Sequence, residues 1–171
     1  MIEILRLSHR IRRDPRISTH VALVARAFGA DKIYYSGDHD LALEDSVNKI
    51  VKQWGSNFQI EYIKDPIKLI KSTKSKIINL TMYGLPLENE ISKIKKFKDL
   101  LIIIGGEKVP IEIYKLSDYN ISVTQQPHSE VSSLAIFLHE FFKGEELKLE
   151  FKNPKVKITP QISGKKTTTF I

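Results

Sequence analysis

The chain has 171 residues, 42% of them apolar, which is enough for one domain with a real core and excludes global disorder. It has no cysteine, so disulfides, thiolate metal sites and cysteine nucleophiles are excluded. No run of 18 apolar residues and no signal-peptide pattern occurs, since Arg6 interrupts the first apolar stretch, and we expect a soluble cytoplasmic protein with no membrane contact.

The formal net charge of +7 is concentrated at the two ends of the chain. Five arginines against Glu3 and Asp14 give residues 1–16 a net charge of +3. Six lysines against Glu150 give residues 148–171 a net charge of +5, whereas the residues between carry −1. Concentrated positive charge is typical of proteins that bind a polyanion. A solvated basic face with a lysine-rich tail is the alternative at this point.

Strand-like and helix-like segments alternate along the chain. Hydrophobic periodicity predicts strands over residues 3–7, 32–36, 58–63, 77–82, 100–104 and 120–124. It predicts helices over residues 19–28, 42–54, 66–72, 88–97, 110–116 and 129–142, the first opened by Ser18 or Thr19 and closed by Gly29. Six such units predict an α/β fold with a mostly parallel sheet and helices on both faces.

The last segment breaks this alternation. LKLEF (147–151) and VKITP (156–160) have the pattern of two short strands on either side of Asn153-Pro154. We therefore expect a main domain over residues 1–147 and a basic β-hairpin or arm over residues 148–171.

In a sheet of this kind ligands bind beyond the carboxyl ends of the strands. The loop after the first predicted strand, SHRIRRDPR, contains no glycine, so the dinucleotide-binding fingerprint is absent there, and so is a P-loop. Gly105 and Gly106 follow the fifth strand and would let a ligand approach the main chain closely. A tight turn explains this pair as well.

Two further loops carry polar or aromatic residues. The loop VTQQPHSEVSS (123–133) places Gln125, Gln126 and His128 just before Ser129, which is a good N-cap for the last helix. His128 is either a catalytic base or a residue that fixes the loop by hydrogen bonding. The segment LTMYG (80–84) could wall an adenine or a thioether, or be an ordinary strand exit. Together these loops predict a binding crevice in the C-terminal half.

The five histidines lack the paired spacing of zinc sites, so we expect no metal. No Ser-His-Asp or paired-carboxylate arrangement can be identified from the spacing alone.

Four segments together closely resemble one family: LRLSHRIRRDPRISTHVALVARAFGA, LTMYG, GGEKVP and DYNISVTQQPHSEVSSLAIFLHE. This family is the archaeal tRNA (cytidine-56-2'-O)-methyltransferases of the SPOUT superfamily. The resemblance spans residues 5 to about 143 and leaves the segment from Lys148 onward unmatched. It implies that residues 1–147 form a SPOUT α/β-knot domain with a deep C-terminal trefoil knot, and that the protein is a homodimer. It also implies an enzyme that methylates the 2'-oxygen of cytidine 56 in the T loop of tRNA.

The resemblance further implies S-adenosylmethionine as the cofactor, held in the knot largely by main-chain groups of three loops. In this sequence the corresponding residues are Leu80, Gly105, Gly106, Glu107, Lys108, Val109, Val123, Thr124, Gln125, Gln126, Pro127, His128, Ser129 and Glu130.

In related ribose methyltransferases an arginine of the first motif approaches the substrate. Leu23 occupies that position here, so the arginine must come from the segment 10–16. We expect Arg16 first, because it is the arginine closest to the predicted helix start, with Arg13 as the fallback. Asp14 is placed to hold a neighbouring arginine by a bidentate pair.

Two alternatives to this function stay open. One is a SPOUT methyltransferase that acts on another RNA position or on a base nitrogen. The other is a non-catalytic RNA-binding α/β module, which the glycine pair and the QPHSEV loop disfavour, because a binding module needs no cofactor crevice.

Overall fold

The computed structural model describes residues 1–13, 15–106 and 108–170. Within them six parallel strands form the central sheet: β1 (Ile2–His9), β2 (Lys32–Gly37), β3 (Gln59–Tyr62), β4 (Lys76–Pro86), β5 (Leu100–Ile104) and β6 (Tyr119–Ser122). Their order in space is β3-β2-β1-β5-β4-β6, so β5 lies between β1 and β4. The predicted α/β fold with a parallel sheet is confirmed.

Helices cover both faces of this sheet. They are α1 (Pro15–Ala27), α2 (Leu41–Trp54), α3 (Pro66–Ser72), α4 (Leu87–Ile94), α5 (Ile111–Leu116) and α6 (Glu130–Phe142). Side chains alternate between the faces of a strand, so Ile4 packs in the core under α1, α2, α4 and α6, whereas Leu5 packs under α3 and α5. All five residues of β5 are buried, as its apolar run predicts for a strand that is covered on both faces.

The first helix starts four residues earlier than the sequence indicates. α1 begins at Pro15, so Ser18 and Thr19 lie inside it and the predicted N-cap is wrong. Proline is well suited to the first helical turn because it has no N–H to satisfy there. Arg16 therefore lies on the first turn of α1 rather than in the preceding loop.

Strand β4 is interrupted where it passes β6. Leu80 and Leu85 are both in register with Ile121, so residues 81–84 form an excursion between two points of pairing. A Cβ at Gly84 would lie 2.4 Å from the backbone of Asn120 and Ile121, which only glycine tolerates. Such close backbone packing is what a chain crossing in the implied knot requires.

The predicted C-terminal hairpin is present, and the strand expected over residues 156–160 is confirmed, but the strand expected over residues 147–151 does not form. β7 (Val156–Thr159) pairs antiparallel with β8 (Lys166–Thr169), whereas LKLEF begins in the second half of a short 3-10 helix (Glu145–Lys148) and continues as irregular structure. This stretch runs along the ends of α1 and α2 instead of pairing. The guanidinium of Arg26 lies 4.4 Å from the centre of the Phe151 ring, and Ser56 donates its N–H to the carbonyl of Lys152.

No helix in the described part of the chain is long and apolar enough to cross a membrane.

Candidate functional site

A cavity of about 440 Å³ lies at the carboxyl ends of the central strands. It is enclosed by the loops after β1, β5 and β6, by the excursion of β4 and by the start of α6. Its volume falls within the range of roughly 300–1,000 Å³ that is typical of small-molecule sites. The lining residues are Arg6, Arg10, Arg13, Ile17, Leu80, Thr81, Met82, Tyr83, Gly105, Gly106, Val109, Tyr114, Gln126, Pro127, His128, Glu130 and Ser133.

The cavity brings together many of the residues expected to hold the cofactor. Leu80, Gly105, Gly106, Val109, Gln126, Pro127, His128 and Glu130 line it. Among the described residues, five expected ones do not line it: Lys108, Val123, Thr124, Gln125 and Ser129. Ser129 instead caps α6, where its hydroxyl accepts the N–H of Val131. Glu107 lies outside the described residues.

The two glycines after β5 form one wall of the cavity. A Cβ at Gly105 would lie 2.1 Å from Cγ2 of Val109, so any side chain there displaces Val109. A Cβ at Gly106 would lie 3.6 Å from Nη1 of Arg6, an ordinary contact. This wall therefore presents main-chain atoms, and it keeps that shape only while residue 105 is glycine.

Arg6 is a site residue that sequence reasoning missed. Its side chain is 1% exposed, and Nη2 lies 3.0 Å from Oε1 of Glu130. Nη1 donates to the carbonyl of Leu7. The sequence shows a lone arginine inside an apolar strand, which is unusual. It does not show that the side chain of Arg6 reaches the N-terminus of α6, because Glu130 is far away along the chain.

The arginine loop contributes two of its members to the cavity. Arg10 and Arg13 line it, and the N–H of Arg13 donates to the carbonyl of Arg10 at 3.1 Å, which closes a turn. Arg12 and Arg16 are exposed and are not among the described residues that line it. The structure thus places Arg13, the fallback residue, at the cavity. Asp14 lies outside the described residues.

A buried cluster anchors the base of this loop. His9 is fully buried, with Nδ1 2.7 Å from Oγ of Ser18 and Nε2 3.1 Å from Oδ2 of Asp40. Asp40 caps α2 by accepting the N–H groups of Ala42 and Leu43. Burial alone would raise the pKa of Asp40, but these backbone hydrogen bonds and the one from His9 outweigh it and lower that pKa.

This Ser-His-Asp arrangement is structural. All three side chains are buried, and none lines the cavity, so no substrate reaches the hydroxyl of Ser18. The arrangement fixes the end of β1 to the first turns of α1 and α2. The three residues are too far apart in sequence for their spacing to reveal it.

His128 lies at the mouth of the cavity and is exposed. Its Nδ1 lies 3.0 Å from Oγ of Ser132 and 3.1 Å from the carbonyl oxygen of Ser129. These contacts match the interpretation of His128 as a residue that fixes the loop before α6. Within the described residues, no group of three His, Asp or Glu side chains is arranged to hold a metal ion.

The sequence of this chain matches proteins of one enzyme family. The sequence model of the family described as tRNA ribose 2'-O-methyltransferase, aTrm56, matches residues 54–168. The tRNA (cytidine(56)-2'-O)-methyltransferase of Methanobrevibacter smithii is 49% identical over 168 residues, which are 96% of this chain and 93% of that protein. The enzyme of the same name from Thermococcus kodakarensis is 49% identical over 172 residues, 97% of this chain and 96% of that protein.

Solved structures show the same fold at low sequence identity. The SpoU methyltransferase AviRb from Streptomyces viridochromogenes, in complex with AdoMet, superposes with a TM-score of 0.65 at 13% identity. That match covers 85% of this chain and 58% of AviRb. A putative RNA methyltransferase from Bacillus anthracis gives a TM-score of 0.64 at 17% identity, covering 89% of this chain and 99% of that one. With the full-length matches at 49% identity, these findings show that the chain belongs to the tRNA ribose 2'-O-methyltransferase family aTrm56.

Proposed function

We propose that this protein transfers a methyl group from S-adenosylmethionine to the ribose 2'-oxygen of cytidine 56 in the T loop of tRNA. The observation that carries the proposal is that one cavity joins a glycine wall to two arginines of a basic loop. The first feature suits a small cofactor, and the second suits a phosphate-rich substrate. The names of the full-length relatives support this target. A tRNA substrate supports the further proposal that the reaction takes place in the cytoplasm.

The residues of the cavity fit the cofactor. Gly105 and Gly106 leave main-chain atoms along one wall, and Leu80, Met82 and Val109 provide apolar surface. Gln126 and Glu130 provide hydrogen-bonding groups on the side of α6. A mixed lining of this kind is what a ligand with an adenine, a ribose and a charged amino-acid end requires.

When bound, S-adenosylmethionine supplies a methyl group on a positively charged sulfur, which is electrophilic without a metal. We therefore propose a metal-independent reaction in which the protein orients the ribose 2'-oxygen and the hydroxyl proton passes to water. Arg13 and Arg10 supply positive charge at the cavity, which stabilises the oxyanion character that develops on the 2'-oxygen. The His9 cluster holds the loop that presents them.

Three arginine variants test this division of roles. Arg13→Ala should lower the single-turnover rate at saturating tRNA by roughly 100-fold. Arg12→Ala should weaken tRNA binding and leave that rate near the wild-type value, because Arg12 is exposed outside the cavity. Arg16→Ala distinguishes the two expectations for the catalytic arginine, since a slow Arg16 variant with a normal Arg13 variant would reassign the role to Arg16. Treatment with a chelator should leave the rate unchanged.

We also propose a homodimer. Ile136 on α6 is 45% exposed, although its neighbours Leu134, Phe137 and Leu138 are buried in the core. The family resemblance implies this dimer, and Ile136 is the α6 residue that we propose contacts the second copy of the chain. Light scattering at micromolar concentration should give the dimer mass for the wild type and the monomer mass for Ile136→Asp.

A further inference from the structure

Tyr83 is the exposed aromatic residue at the mouth of the cavity. Its side chain is 79% exposed, yet it belongs to the cavity lining together with Arg10 and Arg13. An exposed aromatic ring beside arginines is a feature of surfaces that bind unpaired nucleotides.

The other five tyrosines have partners. Tyr35, Tyr62 and Tyr119 pack against aromatic rings. The hydroxyl of Tyr34 donates to Glu3, and that of Tyr114 lies 3.2 Å from Oγ1 of Thr81. Within the described residues, the ring and hydroxyl of Tyr83 make no such contact.

The backbone that carries Tyr83 is nevertheless held on both sides. The N–H of Tyr83 donates to Oγ1 of Thr81, and Thr81 contacts Tyr114 of α5. On the other side, Gly84 packs against the backbone of β6, where a Cβ would come within 2.4 Å. A ring on so constrained a segment loses little backbone freedom when a partner stacks on it.

We propose that Tyr83 is a substrate-positioning residue that stacks on the cytosine base of the target nucleotide. This inference deepens the proposed function and rests on it. A ribose that reaches the cavity has to leave the stacked T loop, which removes its base from its neighbours. The ring of Tyr83 replaces that lost stacking at the rim of the cavity, which Arg10 and Arg13 also line. Stacking needs the ring and not the hydroxyl.

Steady-state kinetics on unmodified tRNA transcripts tests the role. Tyr83→Ala should raise KM for tRNA by roughly tenfold, whereas Tyr83→Phe should keep the wild-type KM. Calorimetry should give all variants the same affinity for S-adenosylmethionine, because the ring is not needed for the cofactor. Ile111→Ala is the matched control: Ile111 is 69% exposed on α5 but does not line the cavity, and its removal should change neither value.

A fluorescent reporter separates stacking from other causes of weak binding. With pyrrolocytosine in place of the target base, the reporter in the wild-type complex should be quenched by stacking on Tyr83, and the reporter in the Tyr83→Ala complex should be brighter. A Tyr83→Ala variant that equals the wild type in KM and quenching, or that loses cofactor affinity, would overturn the inference. Wild-type methylation that maps to another nucleotide would contradict the proposed target alone, and the same variants compared on that nucleotide would then decide the role of Tyr83.

Discussion

Arg6 and Glu130 connect the middle of the sheet to the start of the last helix, with Nη2 of Arg6 3.0 Å from Oε1 of Glu130. The arginine side chain is 1% exposed and the carboxylate is 26% exposed, so the guanidinium has lost more hydration and relies more on its protein partners than the carboxylate does. Both residues line the cavity. The ion pair thus holds the N-terminus of α6 against β1, and both of these elements form part of the cavity wall.

Glu130→Ala should lower the free energy of unfolding by about 1–3 kcal/mol, because it removes one charged partner of a buried guanidinium. The double variant Arg6→Met with Glu130→Ala should recover part of this loss, since no buried charge then remains. Urea unfolding at neutral pH measures both. Glu145→Ala, which breaks a surface pair with Lys148, should unfold at the wild-type urea concentration. A Glu130→Ala protein as stable as the wild type would show that the Arg6–Glu130 ion pair does not stabilise the fold.

Gly105→Val should abolish binding of S-adenosylmethionine while the sheet remains folded. A Cβ at this position would lie 2.1 Å from Cγ2 of Val109, so Val109, which lines the cavity, has to move. Gly106→Ala, whose Cβ meets atoms no closer than 3.6 Å, should be milder. Gly105→Ala combined with Val109→Ala should recover part of the affinity that Gly105→Ala loses. Calorimetry measures the affinity of all four variants for S-adenosylmethionine. Undiminished affinity in Gly105→Val would contradict the proposal that the cofactor binds along the glycine wall.

The cluster of His9, Ser18 and Asp40 should make stability pH-dependent on the acid side. The pKa of Asp40 is lowered in the folded protein, so its charged form contributes stability above its ordinary pKa of 3.8. This contribution is lost as the pH falls through the lower folded value. Asp40→Asn should therefore cost about 1–2 kcal/mol of unfolding free energy at pH 7 and less near pH 3.

Asp65→Asn is the control for that comparison, because Asp65 caps α3 through the N–H of Lys68 but is exposed and has no buried histidine partner. At pH 7, Asp65→Asn should lower the free energy of unfolding by less than Asp40→Asn does. An Asp40→Asn penalty that stayed constant from pH 7 to pH 3 would contradict the account.

The hairpin β7–β8 should add affinity for tRNA without choosing the nucleotide. Lys165 and Lys166 are both exposed there. Replacing both with glutamine should reduce the slope of log K against log salt by about one for each lysine that contacts a phosphate. Lys93→Gln, on α4 and paired with Glu90, is the control and should leave the slope unchanged. A variant that moved the methylated position would show that the hairpin reads the nucleotide.

The alternation of apolar strands and amphipathic helices predicted the fold class well, because each βα unit carries its own periodicity. The start of α1 was wrong since Pro15, not Ser18, opens the helix, and Ser18 is used to hold His9. Strand 147–151 was wrong because Phe151 stacks on Arg26 instead of pairing with β7. The hydrophobic pattern of a short segment does not predict such tertiary contacts.

Part of the candidate site was visible in the sequence. Gly105 and the segment 126–130 have compositions that suit a ligand at a strand end, and all of these residues except Ser129 line one cavity. Arg6 was missed because the strand order, with β5 inserted beside β1, is what brings it to Glu130. That order depends on long-range packing and not on spacing along the chain.

The most direct test of the proposed function compares two tRNA transcripts, one with cytidine and one with 2'-deoxycytidine at position 56. Each is incubated with the purified protein and S-adenosylmethionine labelled in its methyl group, and the labelled nucleotide is mapped. We predict label at nucleotide 56 of the first transcript and none in the second, because the second lacks the 2'-hydroxyl. Label on the deoxycytidine transcript, or at any other nucleotide of the first, would contradict 2'-O-methylation of cytidine 56.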